Sequence, residues 1–171
     1  MKTILFSDLV PVSYRDGFLK KVIEISEKLA INPDWLMLTM RIESAGTLSP
    51  HIRNAKSGAT GLIQFMPSTA KGLGTTTAIL AKLSAVDQLD WVYKYLKPYT
   101  GKMKSFEDVY LAVFFPVAIG KAGDYVLKTN SLSAQKVASW NPAYDLNNDG
   151  VIQKKEIRIK IMTFLPKNYI V

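Results

Sequence analysis

Cysteine is absent from this 171-residue chain, and histidine occurs once, at His51. Disulfide frameworks, zinc fingers, iron–sulfur clusters and cysteine nucleophiles are therefore excluded. A Ser-His-Asp triad would have to run through His51. Long apolar runs are missing as well. The longest, residues 109–119, contains Pro116 and falls short of the roughly 18 residues of a membrane span, so no membrane insertion is expected. The first apolar run is only Ile4, Leu5 and Phe6. A signal peptide needs roughly 7–15 such residues, so no signal peptide is expected either. Internal repeats and low-complexity tracts are also lacking.

What remains is a globular composition, 48% hydrophobic and 21% charged, in a length that suits one domain over residues 1–171. Lys and Arg number 22 against 14 Asp and Glu, a net charge of +8. That excess points to an anionic partner: nucleic acid, anionic lipid or a cell-wall polymer. The lysines are scattered from Lys2 to Lys167 with no basic helix, so a nucleic-acid partner is not expected.

The apolar spacing is helical throughout. Phe18, Leu19, Val22, Ile25 and Leu29 predict an amphipathic helix over residues 14–30. Asn32, Pro33 and Asp34 form a helix start: a cap, a proline at the first position and an acid in the first turn. The helix they open reaches Glu43 and is apolar on most sides, the mark of a buried helix. A loop of small residues follows over residues 45–60. Further helices are expected over 62–65, from Pro67, over 86–97, 106–115 and 118–127, and from Lys154 to Phe164. No alternating run extends to five residues. The pattern predicts an all-α bundle around the second helix.

Glu43 ends that buried helix and opens the loop. An apolar wall around a carboxyl raises its pKa, which suits a general acid near neutral pH. Arg41-Ile42-Glu43-Ser44, then Gly58-Ala59-Thr60-Gly61-Leu62-Ile63-Gln64, then Met66-Pro67-Ser68-Thr69-Ala70 resembles the signature of the soluble-type lytic transglycosylases. The resemblance covers residues 33–75. It implies a lysozyme-like α fold, shared with goose-type lysozymes, and peptidoglycan glycan strands as the partner. It makes Glu43 the catalytic acid/base and places Gln64, Met66 and Ser57 at the sugar subsites. Gly58 and Gly61 would let the backbone approach the glycan, and Ser44 would orient the loop. The family's Ala-Tyr-Asn-Ala-Gly stretch is replaced here by Val113-Phe114-Phe115-Pro116-Val117. Phe114 can stack on a sugar but offers no hydroxyl. The departure resembles phage-encoded members. A peptidoglycan partner implies action on the cell wall or periplasm, and the lack of a signal peptide suggests release through a holin, delivery in a virion, or a domain cut from a larger protein. The protein is expected to act as a monomer.

Most glycosidases use two carboxylates across the scissile bond. No Asp or Glu follows Glu43 until Asp87. A single acid/base fits internal attack by the muramyl 6-hydroxyl, giving a 1,6-anhydro product. A hydrolytic muramidase, or a non-catalytic glycan-binding or tail-structural module, are the alternatives.

Residues 145–156 carry a second pattern, that of an EF-hand calcium loop. Asp145, Asn147, Asp149, the carbonyl of Val151 and Glu156 stand at the ligand positions. Gly150 occupies the sharp turn, Ile152 the inward apolar position, and Gln153 a position served through water. Pro142 prevents a long helix from entering the loop. One such loop without a partner loop suggests a structural Ca2+ that ties the C-terminal helix to the domain.

Overall fold

The computed structural model describes residues 3–169. Within them the regular structure is helical, and extended pairing is limited to isolated bridges between Arg53 and Thr60, Thr60 and Phe65, and Val126 and Gln153. The all-α prediction holds.

Helix α1, Arg15–Leu29, buries Phe18, Val22, Ile25 and Leu29, spaced by three or four residues along one face. Ala30 closes it in the left-handed region at φ 56°. Helix α2, Pro33–Glu43, starts where Asn32 Oδ1 accepts the Asp34 amide at 2.9 Å. The Asp34 carboxylate in turn accepts Leu5 N at 2.8 Å and the Tyr169 hydroxyl at 3.0 Å. Residues from both ends of the chain thus converge on the start of α2.

Two apolar clusters meet on this helix. Leu36, Met37 and Met40 pack with α1, with Leu62 and Phe65 of the following loop, and with Leu89 and Val92 of α5, Ala85–Leu96. Leu38 packs with Phe106 and Leu111 of α6, Phe106–Phe114, and with Leu127, Val137, Ile152, Ile157 and Ile161. Each such side chain contributes about 1.5–3 kcal/mol when fully buried. This explains why α2 is apolar on most sides. It also holds Glu43 at the junction of the two clusters.

Helices α3, Pro67–Gly72, and α8, Lys154–Met162, form where expected, α8 ending two residues early. Two predicted helices do not form. Over residues 61–65 the chain makes a tight turn, with Thr60 and Phe65 exchanging both backbone hydrogen bonds (3.1 and 2.9 Å) and Gln64 at φ 50°. Residues 118–127 satisfy their backbone elsewhere: Leu127 N donates to Ile152 O at 2.8 Å, and Tyr125 O accepts Lys154 N at 2.9 Å. Pro116 and Gly120, at φ 69°, redirect the chain toward that pairing. The sequence reading missed two short helices, α4 at Thr77–Leu80 and α7 at Ala134–Trp140. A 3-10 turn, Pro142–Tyr144, then leads directly into residues 145–156.

Candidate active site

Glu43 is the last residue of α2, and Ser44 is its C-cap. The chain reverses at once: Gly46 N donates to Arg41 O at 2.7 Å, with Gly46 at φ 85°. Ser44 is fully buried, and its Oγ accepts Leu48 N at 2.8 Å. Its role is local, as the sequence suggested.

Burial pushes the Glu43 carboxyl up to about 7, against a smaller opposing effect from a hydrogen bond with the Tyr110 hydroxyl. Tyr110 lies on α6 and is buried, and its own pKa is raised, first by burial and then by the Glu43 charge. The Tyr110 hydroxyl also bonds to that of Tyr144. Phe114 stacks on Tyr110, centroids 5.5 Å apart and planes 20° apart, and its centroid is 5.0 Å from that of Tyr144. The three rings form a wall beside the carboxyl.

A narrow cleft is lined by Ile63, Gln64, Phe65, Met66, Thr69, Tyr95 and Val113; Glu43 and the three rings, Phe114 included, are not part of its lining. Tyr95 links the cleft to the acid. Burial raises its hydroxyl to about 12, with smaller contributions from Tyr99 and the Glu43 charge. That hydroxyl donates to Ala112 O at 2.9 Å. Met66 is 44% exposed, open to a ligand in the cleft. Gln64 lines the cleft too, but its amide donates to Gly61 O at 3.1 Å and Ile52 O at 3.3 Å, which holds the turn closed. Ser57 is exposed outside the lining, with its Oγ accepting Ala59 N at 3.2 Å.

The expectation for Gly61 needs correction. A Cβ there would stand 2.3 Å from Gln88 Oε1, so the close approach is to Gln88 and not to a ligand. Fully buried Gln88 accepts Leu62 N at 2.7 Å and donates to Leu80 O and Pro50 O at 2.9 and 3.0 Å. It pins the loop that carries the cleft.

The acids that might return to Glu43 are engaged elsewhere. Asp87 bonds to Ser84, Asp90 to Lys21, Glu107 to Arg158 and Asp108 to Lys154. His51 is exposed, and its Nδ1 donates to Ala81 O at 2.8 Å. No Ser-His-Asp relay is formed there.

Residues 145–156 are organised by their own side chains. The Asp145 carboxylate accepts Asp149 N and Gly150 N at 3.1 and 3.0 Å. Asn147 Oδ1 also accepts Asp149 N, and Asp149 Oδ1 accepts Val151 N. Glu156 reaches back across the loop, taking Leu146 N on Oε1 and Gln153 N on Oε2 at 2.9 and 2.8 Å. Gly150 has φ 82°, and Ile152 is fully buried. The residues fit a hard cation in type, order and turn geometry, and each carboxylate oxygen keeps a further lone pair. Among the described residues no three Asp, Glu, His or Cys side chains converge as a ready metal cage.

A partly buried carboxyl of raised pKa beside an aromatic wall, in an all-α fold, suits a lysozyme-like, glycan-cleaving class of protein. Residues 20–113 match the family model described as "Transglycosylase SLT domain". That is more than half of the chain, which therefore belongs to this family. Lytic transglycosylation of peptidoglycan is the family's activity, and cell-wall peptidoglycan is its substrate. No curated protein and no solved structure was found to match the chain. No described helix is long and apolar enough to cross a membrane.

The sequence reading missed three residues beside Glu43: Tyr95, Tyr110 and Tyr144. Tyr110 could have been found. It stands four residues before Phe114 on one helix, hence on the same face, and can supply the hydroxyl that Phe114 lacks. Tyr144 left no such signal, since its approach depends on the path of residues 115–143.

Proposed function

We propose that Glu43 acts alone as acid and then base, cleaving the β-1,4 bond between N-acetylmuramic acid and N-acetylglucosamine. The observation that carries this reading is a lone carboxyl at the end of α2, pushed by burial up to about 7, with Asp87, Asp90, Glu107 and Asp108 bonded elsewhere. As pH falls below about 7, Glu43 increasingly holds the proton that the leaving oxygen needs. As that oxygen departs, the acetamido group of the muramyl residue stabilises positive charge at C1. The Glu43 carboxylate then takes the proton of the muramyl 6-hydroxyl, whose oxygen bonds to C1. The products are a free 4-hydroxyl and a 1,6-anhydro ring, and no water is consumed. Phe114 and Met66 offer apolar contact to the sugars, with Gln64 and Ser57 as polar partners at the subsites. On this reading the chain is a monomeric enzyme of a phage-like branch, delivered to the wall from a virion or through a holin.

Digestion of purified sacculi in ¹⁸O-water tests the chemistry. The muramyl ends should be anhydro and unlabelled. One ¹⁸O at each muramyl C1 would make the enzyme a hydrolytic muramidase instead. Intact sacculi would mark a binding module.

We further propose that residues 145–156 bind a structural Ca2+ through Asp145, Asn147, Asp149, the Val151 carbonyl and Glu156. The ion would offset two of the three carboxylate charges and join the start of α8 to the turn before it. A ligand bound only by the native state adds about 2.7 kcal/mol at a hundredfold excess over Kd. For a chain of this length that is roughly 5–10 °C in melting temperature. Calcium against chelator should show this shift, and Glu156→Ala should abolish it. A wild-type melting curve indifferent to calcium would remove the site.

A further inference from the structure

We propose that Tyr144 is a positioning residue for the reaction, its hydroxyl directing the single proton of Tyr110 onto Glu43; this rests on the reading of Glu43 as acid/base. Tyr144 lies outside residues 20–113, the stretch that carries the family match. It is set in place by its own segment: Tyr144 N donates to Asn141 O at 3.0 Å, and Asn141 Nδ2 donates to Val137 O of α7 at 2.9 Å. Its ring, 6.2 Å from Tyr110 and 5.0 Å from Phe114 between centroids, completes the aromatic wall.

The argument is one of proton counting. A phenol has one hydrogen to donate and lone pairs to accept. The Tyr110 hydroxyl bonds to that of Tyr144 and lies within hydrogen-bonding influence of the Glu43 carboxyl, favouring its charged form. When Glu43 is a carboxylate it can only accept, so Tyr110 donates to it. Tyr110 must then accept from Tyr144. The second bond polarises the first, and chained hydrogen bonds strengthen one another by roughly 10–30%. The carboxylate exists between protonation of the leaving group and uptake of the 6-hydroxyl proton, so this is the form the chain stabilises. Without Tyr144, the Tyr110 hydroxyl can turn its hydrogen away. The titratable groups that sense Glu43 are Tyr95 on α5, Tyr110 on α6 and Tyr144 on the 3-10 turn; no cation or second acid is among the influences on its carboxyl. Phe114, packed on both rings, supplies no hydroxyl of its own.

The test uses the full chain with Tyr144→Phe, Tyr110→Phe and both together, each checked for an unchanged fold by circular dichroism. Tyr144→Phe should lower kcat about threefold with KM unchanged, the size expected from losing the strengthening of a charge-assisted bond. The Glu43 carboxyl, followed by carbon NMR, should titrate a few tenths of a pH unit higher. Tyr110→Phe should do both more strongly, by tenfold or more in kcat, about what one hydrogen bond to a charged group is worth. In the Tyr110→Phe background, adding Tyr144→Phe should change neither reading. The proposal is overturned if Tyr144→Phe leaves the carboxyl titration unmoved, or if its effect is the same size with and without Tyr110. Failure of the underlying reading looks different. Glu43→Gln would then remain active, while the carboxyl titration would still report the hydroxyl chain.

Discussion

Glu43→Gln should lose cleavage of peptidoglycan by at least the roughly 10²–10⁴ that removal of a general acid/base costs, and by more because one residue serves both steps. Binding of glycan strands should survive, since the amide keeps the shape of the side chain. The same substitution should stabilise the fold in alkaline solution. The native carboxyl titrates near 7 against an ordinary value of 4.5. Between those pH values the folded chain keeps a proton that the unfolded chain has lost. Native stability therefore falls as pH rises through this window, and the loss is complete above about 7. The difference corresponds to at most about 3 kcal/mol, less where water reaches the carboxyl, since Glu43 is only partly buried as a residue. Glutamine carries no charge at any pH and escapes the penalty. Melting temperatures of variant and wild type should coincide near pH 4 and separate in the variant's favour near pH 8. Retention of more than a tenth of wild-type turnover would sink Glu43 as the acid/base. Equal melting at pH 8 would mean that its carboxyl is well solvated.

The first half of this site was legible because it depends on short-range rules. Asn32, Pro33 and Asp34 specify where α2 starts, and its apolar faces specify that it is buried. Glu43 at its end must then emerge at the junction of the two clusters. The resemblance over residues 33–75 named Gln64 and Met66, and both line the cleft. What failed depends on partners distant in sequence. Leu62 to Phe65 look helical, yet the exchange between Thr60 and Phe65 and the left-handed Gln64 give a turn. Residues 118–127 have helical composition but pair with residues 152–155. Gly61 suggested room for a ligand, and the group that needs the room is Gln88, 27 residues away in sequence. Tyr144 escaped for the same reason. Two turns and α7 separate it from α6, and no local period encodes where such a path returns.

Lys154→Met should be the most destabilising conservative substitution outside the two clusters. Lys154 Nζ lies 2.7 Å from Asp108 Oδ1, and the two side chains are only 8% and 4% exposed. Asp108 also accepts Gly120 N at 3.1 Å and Lys104 N at 3.1 Å. One carboxylate thus joins the start of α6, the turn after it and the first residue of α8. A buried pair is weak support for stability as a whole, because desolvation offsets its attraction. Breaking it from one side is different. Methionine fills the space of the lysine stem but leaves the Asp108 charge buried with two amides and no cation, at a cost of about 3–5 kcal/mol. Adding Asp108→Asn should recover part of that loss, since the charge is gone and the one amide oxygen can still accept from one of the two backbone amides. The neighbouring pair provides the contrast. Arg158 and Glu107 meet at 2.9 Å with the arginine 41% exposed but the Glu107 side chain only 11%, so Arg158→Ala also leaves a carboxylate without its cation and should cost less than Lys154→Met only as far as water enters by the opening the arginine vacates. Urea unfolding at neutral pH ranks the three variants. A loss below 1 kcal/mol for Lys154→Met would show that water reaches Asp108. Because Asp108 and Lys154 fasten α8, and with it the segment that carries Tyr144, to the helix that carries Tyr110, the variant's kcat should also fall faster than wild type on warming, before global unfolding begins.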